Sequence, residues 1–223
     1  MKKEDYVNSD IWGGSYYELG IELNPTRDSD RLLKAIRAIW EMPILQGPWR
    51  KIEQYLSPPR IPTAMQPEGC INEFNRLYGL VKMLDQHSLA CLTLTVREKN
   101  GPDWLDFSIP WNMLDMLFSV EGLLSPKDNP WLNTIDNVLI KIAQEVYRKA
   151  PYNLAAIGEE VSGTIYAREL NDKRLREGFD FEGDSLTNHI IISPDLYQKV
   201  QPTIYSKILD SGQHLFSFEH NDI

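Results

Sequence analysis

The sequence predicts one α+β domain, residues 1–223, in which a mostly antiparallel β-sheet carries two main amphipathic helices on one face. Two observations predict this class. Several short segments alternate apolar and polar residues, as strands do when one face of their sheet is buried. Two longer segments, 29–42 and 134–149, repeat apolar residues at helical spacing. With 223 residues, the chain can bury a large core without a metal or a disulfide.

The clearest pair of elements is a strand followed by a helix near the N-terminus, after a flexible lead-in that contains glycine. Along residues 16–23 apolar side chains alternate with polar ones, and Glu18 and Glu22 share one face. The helix that follows places five apolar residues on one side: Leu32, Leu33, Ile36, Ile39 and Trp40. Asp28 or Ser29 is suited to cap its first turn by accepting a backbone N–H. We therefore expect this strand and helix to form a main part of the core.

The middle of the chain is predicted as a loop and a small antiparallel meander. Residues 57–69 are rich in proline, which fixes φ and removes backbone donors, so we expect a loop within one domain. Residues 76–83 are ambiguous but compatible with a strand. Residues 89–96 and 104–109 alternate in strand fashion, and the turn at 99–102 between them predicts a hairpin.

Two helices are predicted after the hairpin. A short one covers 113–120, and the second main helix covers 134–149. Asn133 or Thr134 is suited to cap the longer helix, and Asp136 suits the positive end of its dipole. The apolar stripe of this helix consists of Ile135, Val138, Leu139, Ile142 and Val146.

The last third of the chain alternates predicted strands with polar segments. Residues 152–157 and 187–192 are predicted as strands, the second one strongly β-branched. Residues 171–185 are mostly polar and are predicted as a surface loop. A helical turn is expected to begin at Pro194. Residues 213–223 are predicted as a loose tail apart from Leu215, Phe216 and Phe218.

The charge balance limits the classes of partner. With 32 acidic against 23 basic residues the net charge is -9, which disfavours nucleic acid because phosphate contacts need clustered Lys and Arg. A basic protein partner is easier to accommodate. No apolar run approaches the ~18–20 residues of a membrane span and no signal peptide is evident, so we expect a cytoplasmic protein with no membrane partner. Cys70 and Cys91 lack metal or redox spacing and are predicted as buried free thiols.

No local signature of a cofactor site or an active site occurs. The sequence contains no GxGxxG, P-loop, HExxH, GxSxG or EF-hand pattern, so no cofactor is predicted. The four histidines are scattered, at positions 87, 189, 214 and 220. His189 opens an apolar strand and has the chemistry of a ligand or a base, but a hydrogen bond to backbone or water is the simpler interpretation.

Carboxylates form the most interesting set of candidate site residues. Glu18 and Glu22 share one strand face, and Asp106 lies on the polar face of its own strand, so folding can gather them into a divalent-metal or acid/base site. A solvated sheet face is the simpler explanation, since alternating charges keep such a surface soluble. Glu159 and Glu160 follow a predicted strand, where sites often lie, although a charged turn is the commoner explanation.

Two tryptophans are candidates for contacts with a partner. Trp49 lies beside Arg50 in a segment rich in Pro and Gly, and Trp104 lies close to Asp103 and Asp106 on a polar strand face. Interface hot spots are enriched in Trp, although tryptophan is also a common packing residue.

Three functions are compatible with these patterns. The preferred hypothesis is a non-enzymatic binding protein of inhibitor or immunity type that engages a basic protein partner through an acidic face. The second is a metal-dependent hydrolase or nuclease that uses Glu18, Glu22 and Asp106, with Glu159 or His189. The third is a structural module that forms a homo-oligomer through a sheet edge.

Overall fold

The computed structural model describes residues 3–24, 27–57, 74–83, 88–99, 101–177, 180–181 and 185–218. Within these residues, ten strands form one sheet whose pairings are antiparallel. They are β1 (Tyr16–Leu23), β2 (Leu45–Trp49), β3 (Phe74–Lys82), β4 (Ser88–Arg97), β5 (Asp103–Pro110), β6 (Leu154–Glu159), β7 (Asp180–Phe181), β8 (Ser185–Ile192), β9 (Lys207–Ile208) and β10 (His214–Ser217). Their order is β2-β3-β4-β5-β1-β6-β8-β10-β9, and β7 pairs with β8.

The described helices lie on both faces of this sheet, and the two longest lie on the same face. The described helices are α1 (Ser29–Trp40), α2 (Trp111–Phe118), α3 (Leu132–Lys149), α4 (Asp172–Glu177) and α5 (Pro194–Val200), with short 3-10 helices at Lys3–Val7, Ser9–Trp12 and Ile52–Tyr55. The two longest, α1 and α3, pack against each other and share one apolar core with the sheet. The predicted class, a mostly antiparallel α+β fold with two main amphipathic helices on one face, is confirmed.

β1 lies in the middle of the sheet, between β5 and β6, and directs alternate side chains toward the helices. Four of its residues are almost completely buried there: Tyr17, Leu19, Ile21 and Leu23. Each Leu or Ile buried in this way stabilises the fold by about 1.5–3 kcal/mol. α1 begins as predicted because the side chain of Asp28 accepts the N–H of Arg31 at 3.0 Å. It ends at Trp40, shortly before the predicted end at residue 42.

The start of α3 differs from the prediction. The helix begins at Leu132, and the residue at the N-cap position, Trp131, has no side-chain capping bond, so the predicted caps Asn133 and Thr134 are wrong. Backbone bonds take over this role, since the N–H of Leu132 reaches the carbonyl oxygen of Asn129 at 2.9 Å. Asp136 is buried and bonded to neighbouring elements, so its position is not explained by the helix dipole.

Several elements were missed by sequence patterns. β2 occupies the Pro/Gly-rich segment around Trp49, for which no strand was predicted, and the predicted loop 171–185 contains α4 and β7. The segment 213–223 contributes β10, and two 3-10 helices, for which no helix was predicted, come before Gly13. These elements are short or polar, so they lack a long apolar period. Of the proline-rich loop 57–69, residues 58–69 lie outside the described residues, as do residues 219–223.

The opposite face of the sheet is covered over only part of its width. Residues 160–177, here called the covering segment, pack with α5 over β6, β8 and β10 in a second apolar cluster that includes Val161, Ile165 and Leu175. Farther across this face the 3-10 helix Ser9–Trp12 contacts β3, where the ring of Trp12 lies 5.3 Å from that of Tyr78. Leu94 and Val96 on β4 are only half-buried there. The edge of the covering segment therefore borders an open stretch of sheet.

Candidate functional site

Two of the predicted carboxylates meet beneath the covering segment. Glu18 on β1 is 6% exposed and Asp106 on β5 is 3% exposed, so the predicted solvated sheet face is wrong for both. The register explains their proximity, because Glu18 pairs with Ser108 and the next position on the same face, Gly20, pairs with Asp106.

Ser162 of the covering segment joins the two carboxylates. Its backbone N–H donates to Glu18 Oε1 at 2.9 Å, and its hydroxyl donates to Asp106 Oδ1 at 2.7 Å. Ser108 donates to the other oxygen of Glu18 at 3.1 Å. Asp106 Oδ2 forms no hydrogen bond with any residue that the structure describes. One acceptor on a nearly buried carboxylate is therefore left for a ligand or for solvent.

These carboxylates line a cleft of about 430 Å³, here called the carboxylate cleft. Its acidic lining consists of Glu18, Asp106 and Glu160, and its aliphatic lining consists of Leu92, Leu94 and Val96. Arg76 also lines it. Within the described ranges, none of the three carboxylates forms an ion pair. The cleft combines three carboxyl groups and one arginine with an apolar wall.

Burial makes these groups hold protons more tightly than usual. It raises the pKa of Glu18 and, together with the charge of Glu18, raises the pKa of Asp106 well above its ordinary value. Burial and the charge of Glu159 also raise the pKa of Glu160. A cation bound in the cleft would favour the ionised forms and lower these pKa values.

Glu160 is placed at the turn from β6 into the covering segment. Its φ of 49° is left-handed, which is uncommon for a residue other than glycine. The carboxylate accepts the backbone N–H of Tyr16 at 2.8 Å, and the backbone N–H of Glu160 returns to the carbonyl oxygen of Tyr16 at 3.1 Å. Glu159 instead accepts from the hydroxyl of Ser15 at 2.6 Å. Only Glu160 of this predicted pair lines the cleft.

Glu22 lies away from the carboxylate cleft. It is also buried, and it accepts hydrogen bonds at 2.6 Å from the backbone N–H of Ala167 and from the side chain of Asn24. It lines a separate, wider cleft of about 700 Å³ together with Tyr166 and Lys199. The predicted cluster of Glu18, Glu22 and Asp106 is therefore divided between two clefts.

Asp103 lies on the helix-covered face, opposite Asp106. Arg97 approaches it at 3.5 Å, and the backbone N–H of Arg27 donates to it at 2.9 Å. Burial raises the pKa of Asp103, and the charge of Arg97 opposes this shift. Asp103 therefore helps to anchor the connection into α1 and is not available to the cleft.

The two tryptophans predicted for partner contacts are buried. Trp49 packs edge-on against Tyr55, with ring centroids 4.8 Å apart. Trp104 donates its indole N–H to Glu98 at 2.8 Å and lies 5.6 Å from the ring of Tyr166. Neither ring is exposed to a partner in this structure, because Trp49 packs against Tyr55 and the covering segment packs over Trp104.

Other predicted groups are accounted for in part. Cys91 is a buried free thiol whose pKa is raised by burial, whereas Cys70 lies outside the described residues. His189 bonds to side chains and not to backbone. His87 and His220 also lie outside the described residues. In the described part of the chain, no three His, Cys, Asp or Glu side chains are grouped so that they could hold a metal ion.

Sequence reasoning missed Ser108 and Ser162, which hold the carboxylates in place. The available signal was Gly20, the only residue without a side chain in the central strand. A Cβ at Gly20 would lie 2.5 Å from the hydroxyl oxygen of Ser162, so glycine is needed for the covering segment to approach. A glycine inside a strand often marks such a close approach.

No family model matches the chain, and comparisons with curated proteins and with solved structures gave no match. Among the helices of the described residues, none has the length and apolar character to cross a membrane.

Proposed function

We propose that this chain is a binding protein of inhibitor or immunity type, and that it holds a basic protein partner by taking a cationic side chain into the carboxylate cleft. One observation carries the proposal. Glu18 and Asp106 are almost fully buried, have no ion-pair partner among the described residues, and face a cleft open to solvent. A buried carboxylate without a counter-charge is unfavourable, so a cation at this position relieves the cost.

The lining of the cleft matches the two parts of a lysine or arginine side chain. Such side chains lay an aliphatic stem along apolar surface and keep a charged head for polar groups. Leu92, Leu94 and Val96 supply the apolar wall, and Asp106 Oδ2 is an acceptor without a partner among the described residues. The partner's ammonium or guanidinium group would supply a positive charge next to these carboxylates.

The net charge of -9 adds a long-range attraction for a basic protein. Complementary charge accelerates encounter, and this effect weakens as salt shortens the Debye length from about 10 Å at 0.1 M to about 3 Å at 1 M. Arg76 lines the cleft and opposes a cation in part. Specificity then comes from the buried carboxylates, and the overall charge sets the speed of association.

Titration calorimetry with a lysine-rich peptide tests this proposal. A glutamine-rich peptide of equal length is the reference ligand. We expect binding of the lysine peptide that weakens with salt, and Glu18→Gln should reduce the affinity about tenfold, which corresponds to about 1.4 kcal/mol. Glu145→Gln is the matched control, because it removes the same charge from an exposed position on α3.

Absence of binding to the lysine peptide, or equal losses in the two variants, would refute the role of the cleft. Thermal unfolding with Mg²⁺, Mn²⁺ or Zn²⁺ tests the metal-dependent alternative, since an ion that binds only the folded chain raises its melting temperature.

A further inference from the structure

A second polar cluster lies on the opposite, helix-covered face of the sheet. Asp136 comes from α3, His189 from β8 and Ser217 from β10. His189 Nε2 lies 3.1 Å from Asp136 Oδ2, and His189 Nδ1 lies 2.9 Å from Ser217 Oγ. A hydroxyl, an imidazole and a carboxylate thus form one continuous chain of hydrogen bonds. This sequence of groups is the arrangement by which serine nucleophiles are activated.

We propose that Ser217 is a nucleophile, with His189 as its general base and Asp136 as a positioning residue, and that this site hydrolyses activated carboxylic esters. The site shares no residue with the carboxylate cleft. This activity goes beyond the proposed binding role, and either can fail without the other.

The hydrogen bonds around Asp136 select the required form of the imidazole. Asp136 is buried, and its other oxygen accepts the phenolic hydrogen of Tyr17. Tyr17 accepts in turn from the side chain of Asn188 at 2.8 Å. An ionised carboxylate only accepts hydrogen bonds, so His189 must donate from Nε2. In the neutral ring Nδ1 is then the acceptor, and it faces the hydroxyl of Ser217.

Ser217 is accessible, and its backbone N–H is directed away from β8. Its side chain is exposed, and β9 pairs with β10 only at His214 and Leu215. The N–H of Phe218 donates to the carbonyl oxygen of Asn188 in β8. Because successive backbone N–H groups of a strand point to opposite sides, the N–H of Ser217 points away from β8. That N–H points past the end of β9, where it can donate to the oxyanion of a tetrahedral intermediate.

The reaction balances with water as the second substrate. Ser217 Oγ attacks the ester carbonyl carbon while its proton passes to His189 Nδ1. The tetrahedral intermediate expels the alkoxide, which takes that proton and leaves as an alcohol, and an acyl group remains on Ser217. Water then attacks the acyl carbon, gives one proton to His189 and releases the carboxylic acid as the proton returns to Ser217.

The chain contains a second contact between a serine and a histidine, in which the serine is half-buried whereas Ser217 is exposed. Ser206 Oγ lies 3.0 Å from His214 Nδ1, nearly the same distance as in the Ser217 pair. The ring of His214 stacks on Tyr197 at 3.6 Å, and no carboxylate of the described residues bonds to it. Ser206 therefore has a neighbouring imidazole without the carboxylate that positions it. Labelling at Ser217 but not at Ser206 would separate activation from simple contact with histidine.

The test is covalent labelling of the full chain with a fluorophosphonate, followed by intact mass measurement and peptide mapping. We expect one adduct, on Ser217, that is lost in Ser217→Ala and kept in Ser206→Ala. His189→Gln should slow labelling by about 100-fold or more, the usual contribution of a general base. Asp136→Asn should slow labelling and change its pH profile, which a purely structural role would not do. The rates at which the variants hydrolyse p-nitrophenyl acetate should rank in the same order as their labelling rates.

Three results would overturn the proposal: no adduct on Ser217, equal labelling of Ser206, or a wild-type rate in folded His189→Gln. If His189→Gln fails to fold, the pH dependence of the labelling rate in the wild-type chain tests whether His189 acts as a base. The rate must rise as an imidazole loses its proton, and a rate that is constant with pH contradicts base assistance. The affinity of Ser217→Ala for the lysine-rich peptide should equal that of the wild type. This measurement tests the carboxylate cleft independently of Ser217.

Discussion

The two faces of β1 are buried to a similar extent but by different chemistry. Leu19 and Ile21 on one face pack against helices, whereas Glu18 and Glu22 on the other face lie under the covering segment and rely on hydrogen bonds from it. Apolar burial is favourable in proportion to area, but burying a carboxylate is costly unless hydrogen bonds or a counter-charge offset the lost hydration. The first face should therefore carry most of the stability, and the second should carry the sensitivity to pH and ligands.

The largest expected effect comes from the apolar face. Leu19→Ala removes a fully buried side chain next to the helices and should lower the free energy of unfolding by about 2–5 kcal/mol, because the surroundings fill the cavity only in part. Urea denaturation followed by circular dichroism measures this loss. A loss below about 1 kcal/mol, within the range of surface substitutions, would mean that the helix-covered face is not the main source of stability.

A smaller effect is expected where the covering segment meets the sheet. Gly20→Ala places a Cβ 2.5 Å from the hydroxyl oxygen and 3.3 Å from the Cα of Ser162. We expect a loss of about 1–3 kcal/mol from overpacking, measured by the same denaturation. Adding Ser162→Ala removes the closest atom, so the double variant should lose less than the sum of the two single changes. Simple additivity would show that the two residues are not in contact.

The smallest effect is expected from Asp106→Asn, and it should depend on pH. The raised pKa of Asp106 means that the folded chain binds more protons than the unfolded one above the ordinary value of 3.8. Stability therefore falls as pH rises through the folded-state pKa. Asparagine lacks this titration, so the variant should gain stability relative to the wild type as the pH rises from 4 to 8.

Denaturation curves at pH 4 and pH 8 test this difference, with Leu19→Ala as the reference whose loss should be nearly the same at both values. A constant difference between Asp106→Asn and the wild type at the two pH values would contradict the raised pKa. Together these variants distinguish a face whose stability depends on packed side-chain volume from a face whose stability depends on the ionisation of carboxyl groups.

The local elements of this fold were predictable because their signals are local. Alternation identified β1, β4 and β5 and the hairpin between the last two, and helical spacing identified α1 and α3. The same patterns could not identify β2, α4 or β10, which are short, polar or interrupted by turn residues. Their existence depends on partners elsewhere in the chain, as β2 depends on β3 and β10 on β8.

The candidate site was predictable only as a set of residues. Alternation placed Glu18 and Glu22 on one strand face. Whether that face is solvated or buried depends on the covering segment, which is distant in sequence. The link from Ser162 to Glu18 spans 144 positions, and the pair of His189 and Asp136 spans 53. A repeating pattern within a short segment cannot indicate contacts between residues so far apart in sequence.

The sequence by itself determined which side chains share a strand or helix face, because that follows from the periods of 2 and 3.6 residues. Only the tertiary structure decided what covers each face. On β4 it placed Thr93 beneath α1, bonded to Trp40 at 3.1 Å, and left the apolar Leu94 on the open face beside the carboxylate cleft. The reason is that a strand exposes two equivalent faces, and the choice between them depends on the packing of the whole sheet.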